Sequence, residues 1–286
     1  MDLPEIEGVR HHRVEARGVD FHIAEAGEGA PVVCLHGWPQ NWFEWRHLLT
    51  DPPEGRRIIA PDLPGFGWSG PAPHRMSIDD IASDLLALLG EMGLERVLLV
   101  GHDWGGWLGY QLVLREPQRF RGYLALNIPH PWNDLSSLLP HGLSMLGYQP
   151  LIALFGGPLH RRTSFVPKIL RLGCYDDAGF GEREIEIFSA PFRGAVGSRA
   201  ARDIYRTFWR ELPAMVREPE ARRLEIPCRV LFGTADRALH KSLTAPERVL
   251  GDDFAVTYIP RCGHFSVDEM PKRVRRGLLE LDDLTT

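Results

Sequence analysis

The sequence predicts an α/β protein in which a mostly parallel sheet is wrapped by helices and interrupted by a helical insertion. Three observations lead there. Short apolar runs alternate with helical periodicity up to about residue 130 and again from 226 onward, which is the rhythm of parallel strands joined by crossover helices. Between Pro131 and about Arg222 that rhythm stops, and apolar helical stretches separated by Pro and Gly replace it. A chain of 286 residues, 44% hydrophobic and 25% charged, is long enough for a large core plus an insertion. The expected division is a core of 1–130 and 223–286 and an inserted helical cap of 131–222.

Taken in order, residues 9–26 read as two strands turning at Gly18, an antiparallel edge hairpin. PVVCLHG (31–37) is a buried-strand run that ends at a glycine, and RRIIAPDLPGFGWSG (56–70) is a strand followed by a Gly/Pro-rich loop. A helix starts at Ser77 with a capping box to Asp80 and carries Ile78, Ile81, Leu85, Leu88 and Leu89 on one face. RVLLVGHD (96–103) is the next strand and 104–116 the next helix, stopped by Pro117. YLALNIP (123–129) reads as a strand. After the insertion come the strand-like IPCRVLFGTAD (226–236), a helix near 245–250, the strand FAVTYIP (254–260) and an amphipathic segment from Ser266.

Composition narrows the function classes. A net charge of -5 without a basic footprint argues against nucleic acid as a partner. The 33 basic residues include only the lysines Lys168, Lys241 and Lys272, an arginine bias that fits a GC-rich bacterial gene. Cys34, Cys174, Cys228 and Cys262 lack metal-ligand spacing, and the 12 histidines form no metal motif, so neither metal nor cofactor is expected. MDLPEIEGVRHHRVEARG has no apolar core of a signal peptide, and the weakly polar stretch 142–159 is interrupted by Pro150 and Pro158. The expectation is a cytoplasmic protein without a membrane span.

The most informative residue is Asp103 in LLVGHDWGG (98–106), at the centre of a G-x-nucleophile-x-G turn between a strand and a helix. Such an elbow pushes its central side chain out over the end of the sheet. A carboxylate there needs no base to activate it and can form an ester by displacing a leaving group from a saturated carbon. Asp236 in LFGTAD and His264 in RCGHF follow later strands, and His36-Gly37-Trp38-Pro39 follows an earlier one. All four features stand at carboxyl ends of predicted parallel strands, where open α/β sheets build their sites. Asp252 and Asp253 are fallback acids. His36 and His102 read as structural, and Trp42, Trp45, Trp68, Trp107, Trp132 and Trp209 as packing by default.

HGWPQNWFEWR (36–46), DLPGFGWS (62–69), GHDWGG (101–106) and CGHF (262–265) together resemble the epoxide hydrolase branch of the α/β-hydrolase family. The chain order nucleophile, acid, histidine is that family's order. The resemblance covers 30–130 and 225–270. It implies an α/β-hydrolase core, Asp103 as nucleophile, His264 as water-activating base, Asp236 as its orienting carboxylate, and the backbone N–H groups of Trp38 and Trp104 as an oxyanion hole. It also suggests a cis Trp38–Pro39 bond and, by analogy, a homodimer. Relatives use two lid tyrosines to protonate the leaving oxygen. Tyr110, Tyr123 and Tyr258 sit in core elements, which leaves Tyr148, Tyr175 and Tyr205. The contexts of Tyr205-Arg206 and Tyr148-Gln149 resemble the second and the first lid tyrosine. A small-molecule epoxide is the implied substrate. Haloalkane dehalogenase, which shares the Asp nucleophile, and a non-catalytic ligand-binding homologue are the alternatives.

Overall fold

The computed structural model describes residues 2–131, 133, 142–162, 164–176, 180–217, 223–244 and 251–285. The expected hairpin is β1 (Arg10–Ala16) and β2 (Val19–Gly27), paired antiparallel about a turn in which Arg17 and Gly18 both take positive φ. Then follow β3 (Ala30–Leu35), β4 (Arg56–Pro61), β5 (Val97–His102), β6 (Phe120–Leu126), β7 (Cys228–Gly233) and β8 (Phe254–Ile259). They form one eight-stranded sheet in the order β1-β2-β4-β3-β5-β6-β7-β8. From β4 across to β8 every pair is parallel, while β2 joins β4 antiparallel. This is the alpha/beta hydrolase fold.

The helices are α1 (Arg46–Thr50), α2 (Ile78–Glu91), α3 (Trp104–Arg115), α4 (Gly142–Arg162), α5 (Phe165–Gly173), α6 (Glu182–Arg193), α7 (Ala195–Arg217), α8 (Ser266–Glu269) and α9 (Pro271–Thr285). Ser77 caps α2 by accepting the Asp80 N–H at 2.9 Å. The Asp80 carboxylate takes the Ser77 hydroxyl proton instead of completing the reciprocal backbone bond of a capping box. Helices α4 to α7 stand in the chain between β6 and β7. Helix α4 lies close along α7 because Gly156 presents no side chain; a Cβ there would come within 2.9 Å of Arg202 Cβ.

Two boundaries differ from the sequence reading. The strand expected at 123–129 is Phe120–Leu126, because Asn127 takes φ 44° and leaves the sheet. The segment from Ser266 is split into α8 and α9 at Pro271, which cannot continue a helix from the preceding turn. The helix expected near 245–250 lies outside the described residues, as does Trp132.

The sheet is buried on both faces along its centre, β5 being buried at all six positions. Trp42, Trp45, Tyr110 and Tyr123 are fully buried in that core. The Tyr110 and Tyr123 rings meet edge to face at 5.1 Å, and the Tyr123 hydroxyl donates to Gly106 O, which accounts for both as packing residues. All four cysteines are buried and free. Among the described residues no helix is long and apolar enough to cross a membrane.

Candidate active site

Strand β5 passes into α3 through Asp103, whose φ of 48° and ψ of -118° lie outside the regions that side-chain-bearing residues prefer. A conformation of this kind costs on the order of 1–3 kcal/mol and persists only where its surroundings impose it. The flanking glycines supply closeness rather than positive φ. A Cβ on Gly105 would lie 2.1 Å from Leu35 O, and one on Gly101 2.5 Å from Gly105 O. Helix α3 therefore rests directly on β3 and β5, and the strain falls on Asp103. Its side chain makes no capping bond to α3, so a helix-cap role does not explain the residue.

The Asp103 carboxylate is held on both oxygens. Oδ1 accepts the Trp38 N–H at 2.9 Å, and Oδ2 lies 3.3 Å from His264 Nε2. The Trp38–Pro39 bond is cis, as the resemblance suggested. Gly37 lets the loop approach, since a Cβ there would sit 2.4 Å from Asp103 Cβ. Of the two expected N–H donors, Trp38 reaches the carboxylate, and Trp104 is the first residue of α3, at the end of the helix whose dipole favours negative charge.

His264 Nδ1 is 2.8 Å from Asp236 Oδ2, and Asp236 Oδ1 accepts the Ala238 and Leu239 N–H groups at 2.8 and 2.9 Å. The structure thus brings Asp103, His264 and Asp236 together from the ends of β5, β8 and β7. Burial works to raise the Asp236 pKa, but His264 and the hydrogen bonds from Asn127 and Leu239 N–H outweigh it and hold the carboxyl below its ordinary value. Burial likewise works to lower His264, and there the Asp236 and Asp103 carboxylates win, holding the imidazole well above its ordinary range. The fallback acids Asp252 and Asp253 are instead engaged with Arg223 and Arg229 at the surface.

Tyr148 and Tyr205 both line a cavity with Asp103, together with Trp104, Trp107 and Phe208. The Tyr148 ring stacks on Trp38 at 5.9 Å, and Tyr205 meets Tyr148 edge on at 6.2 Å. Burial, and then the nearby Asp103 charge, raise the Tyr148 pKa; burial, Tyr148 and Asp103 raise that of Tyr205, so both phenols stay protonated. The Tyr205 hydroxyl has no hydrogen-bond partner of normal geometry, although Tyr148 and the Trp104 indole are near enough to influence it. Tyr175, the third candidate tyrosine, is 42% exposed and lies outside this cavity.

Three supporting residues, Asn127, Glu44 and Asp62, escaped the sequence reading. Asn127 donates from one Nδ2 to Asp236 Oδ2 at 2.9 Å and to Gly263 O at 3.0 Å, tying the acid to the histidine's loop. His102 bonds His264 O through Nε2 at 2.9 Å and faces the buried Glu44 at 3.4 Å. Asp62 accepts the Trp42 and Trp68 N–H groups and bonds His22, while His36 Nε2 accepts the Leu63 N–H. His36 and His102 are thus scaffolding, as expected. The only local cue to Asn127 was an amide in an otherwise apolar LNIP run. Among the described residues no cluster of three or more His, Cys, Asp or Glu could hold a metal ion.

Residues 30–165 match the family model described as the alpha/beta hydrolase fold. The chain is similar to epoxide hydrolase 2 of Siraitia grosvenorii, at 38% identity over 126 residues, 43% of this chain and 40% of that protein. It is similar along nearly its whole length to the AB hydrolase superfamily protein YfhM of Bacillus subtilis (strain 168), at 27% identity, covering 96% of this chain and 98% of that one. The first curated relatives are matched over only 40% to 50% of their own length. Among solved structures, epoxide hydrolase CorEH without ligand superposes with a TM-score of 0.76 at 24% identity, covering 96% of this chain and 98% of that one. At that identity the likeness carries the fold alone.

Proposed function

From the premise that this chain has the alpha/beta hydrolase fold, we propose that it opens small-molecule epoxides to vicinal diols through a covalent ester on Asp103. One observation carries the reading: a carboxylate on a strained elbow, gripped by Trp38 N–H and His264, shares a cavity with two buried phenols. Asp103 Oδ2 attacks a ring carbon, the ring C–O bond breaks, and the leaving oxygen takes a proton from Tyr148 or Tyr205. Oδ1 becomes the ester carbonyl and already faces its donor, Trp38 N–H.

His264 serves the second step. While Asp103 is ionised, two carboxylates favour the imidazolium. Esterification removes one of them, the imidazole's proton affinity falls, the imidazolium proton returns to the phenolate left by ring opening, and the neutral imidazole becomes a base able to deprotonate water. Hydroxide adds to the ester carbonyl, and the oxyanion is met by the Trp38 and Trp104 N–H groups; losing one such donor costs roughly 3 kcal/mol of barrier. Collapse expels the diol alkoxide, which takes the imidazolium proton; the Asp103 carboxyl then gives its own proton back to the imidazole, and Asp236 stabilises the cation. In this reading residues 131–222 form the cap that carries the acids.

Dehalogenation is the second reading, and one observation favours it. The buried indoles of Trp104 and Trp107 line the same cavity, and the Trp107 N–H has no hydrogen-bond partner, as a halide donor would. A departing halide needs no proton, however, which leaves two buried phenols beside Asp103 without a task. Turnover in heavy-oxygen water tests the ester route: label should accumulate in the Asp103 carboxylate over successive turnovers, and Asp103→Asn should be inactive. Styrene oxide consumed without label at Asp103 would overturn the proposal, and bromide release from bromoalkanes with epoxides untouched would favour dehalogenation.

A further inference from the structure

A second cavity, of about 530 Å³, lies between residues 71–76, in the connection from β4 to α2, and helix α7. Among the described residues it shares no lining side chain with the Asp103 cavity. Its volume falls within the range of about 300–1,000 Å³ that small-molecule sites occupy. Its two walls are joined from behind, because the buried Thr207 hydroxyl donates to Met76 O at 2.7 Å. Arg206 Nε donates to Ala153 O, which fixes the same stretch of α7 against α4.

Four guanidinium groups line this cleft, Arg75 on the connection and Arg199, Arg206 and Arg210 on α7. Spacings of seven and four residues put the three helix arginines on one face, in a stripe about 16 Å long at the helical rise. Arginines elsewhere, such as Arg46, Arg56 and Arg57, are paired with carboxylates. Among the described residues Arg75, Arg199 and Arg206 form no ion pair, and Arg210 reaches its chain neighbour Glu211 at 3.5 Å. The one lining carboxylate, Asp203, is already paired with Arg202 at 2.8 Å, and the lining His74 is bonded to Asp84 at 2.9 Å. Like charges four residues apart, as Arg206 and Arg210 are, destabilise a helix, and an anion placed between them removes that repulsion. Planar donor forks on facing walls match the oxygens of phosphate groups.

We propose that this cleft binds an organic di- or triphosphate, at a site separate from the Asp103 chemistry. Arg75 and the α7 stripe hold the phosphate chain from opposite walls, and the length of the stripe suits a run of phosphates better than a single one. The organic group takes the apolar end at the start of α7, where Pro71 and Val196 both come within 3.9 Å of the place a Gly65 Cβ would occupy. A net charge of -5 on the whole chain disfavours a long polyanion, so the charge recognised is local.

The test is titration calorimetry of the whole protein with ATP, inorganic pyrophosphate and inorganic phosphate at constant ionic strength. ATP and pyrophosphate should bind saturably and compete for one site, ATP the more tightly because its organic group adds the apolar end, and phosphate much more weakly than either. Arg75→Gln combined with Arg199→Gln should weaken ATP binding by roughly tenfold or more, each half-exposed charge contact being worth about fivefold. Both side chains are exposed, and thermal unfolding without ligand should match the parent. Asp203→Asn should tighten binding severalfold by removing the lining negative charge. Arg96→Gln, which removes an exposed cation outside the cleft, should leave it unchanged. No saturable binding at millimolar probe, equal affinity in the parent and the double variant, or pyrophosphate held more tightly than ATP would overturn the assignment. So would an RNA oligonucleotide that binds more tightly than ATP.

Discussion

Tyr205→Phe should make the protein more stable and a much poorer catalyst. The Tyr205 side chain is 1% exposed and its hydroxyl has no hydrogen-bond partner of normal geometry. An unpaired buried hydroxyl costs roughly 1–3 kcal/mol. Phenylalanine keeps the ring contacts with Trp38, Trp104 and Tyr148, at centroid distances of 5.6, 5.2 and 6.2 Å, and deletes only the oxygen. The lower end of that range, about 1 kcal/mol, is the expected gain, because Tyr148 and the Trp104 indole partly solvate the group. For a chain of this size that raises Tm by roughly 2–4 °C. General acid catalysis contributes roughly 10²–10⁴-fold. With Tyr148 still in place, ring opening should slow by about the lower figure while ester hydrolysis keeps its rate. Urea and thermal unfolding give the first quantity, and rapid-quench measurement of the Asp103 ester gives the second. A variant destabilised by more than 1 kcal/mol that still forms ester at the parent rate would show that the hydroxyl is structural and supplies no proton.

Asn127→Gly keeps the positive φ cheaply but removes two hydrogen bonds, one to a buried carboxylate, so unfolding free energy should fall by about 2–3 kcal/mol. Asn127→Ala should lose roughly 1 kcal/mol more by placing a Cβ in the left-handed region; equal stability of the two variants would contradict the backbone part of this account. The raised His264 pKa gives a signed pH dependence. Its stabilising pairing is complete below the unfolded histidine value of about 6.5 and is lost as pH rises through the higher folded value. Stability measured by urea between neutral and alkaline pH should therefore decline, and Asp103→Asn should flatten that decline. Parallel curves for the two proteins would mean that Asp103 does not hold the proton on His264. His264→Gln should leave ring opening intact and trap the ester, visible by intact mass as the parent mass plus one substrate; a trapped ester that fails to appear would remove His264 from the hydrolytic step.

Much of the site was readable before any coordinates because each triad residue ends its own apolar run. Strand identity is a local property, set by a few consecutive buried side chains, and in a parallel sheet every strand delivers its carboxyl end to the same edge. Asp103, Asp236 and His264 could thus be grouped from three separate segments. The cavity role of Tyr148 and Tyr205 rested on resemblance alone, since nothing in an apolar helix says which turn will face a carboxylate.

What the chain determined by itself is the alternation of strands and helices, the elbow and the order of its partners, all encoded within windows of a few residues. Tertiary packing decided the rest. Asn127 and Asp236 are 109 residues apart, and His102 meets a carbonyl 162 residues away. Local sequence sets backbone torsions and which face is buried, whereas a hydrogen bond across such separations exists only once the sheet has closed and its loops have been pressed together.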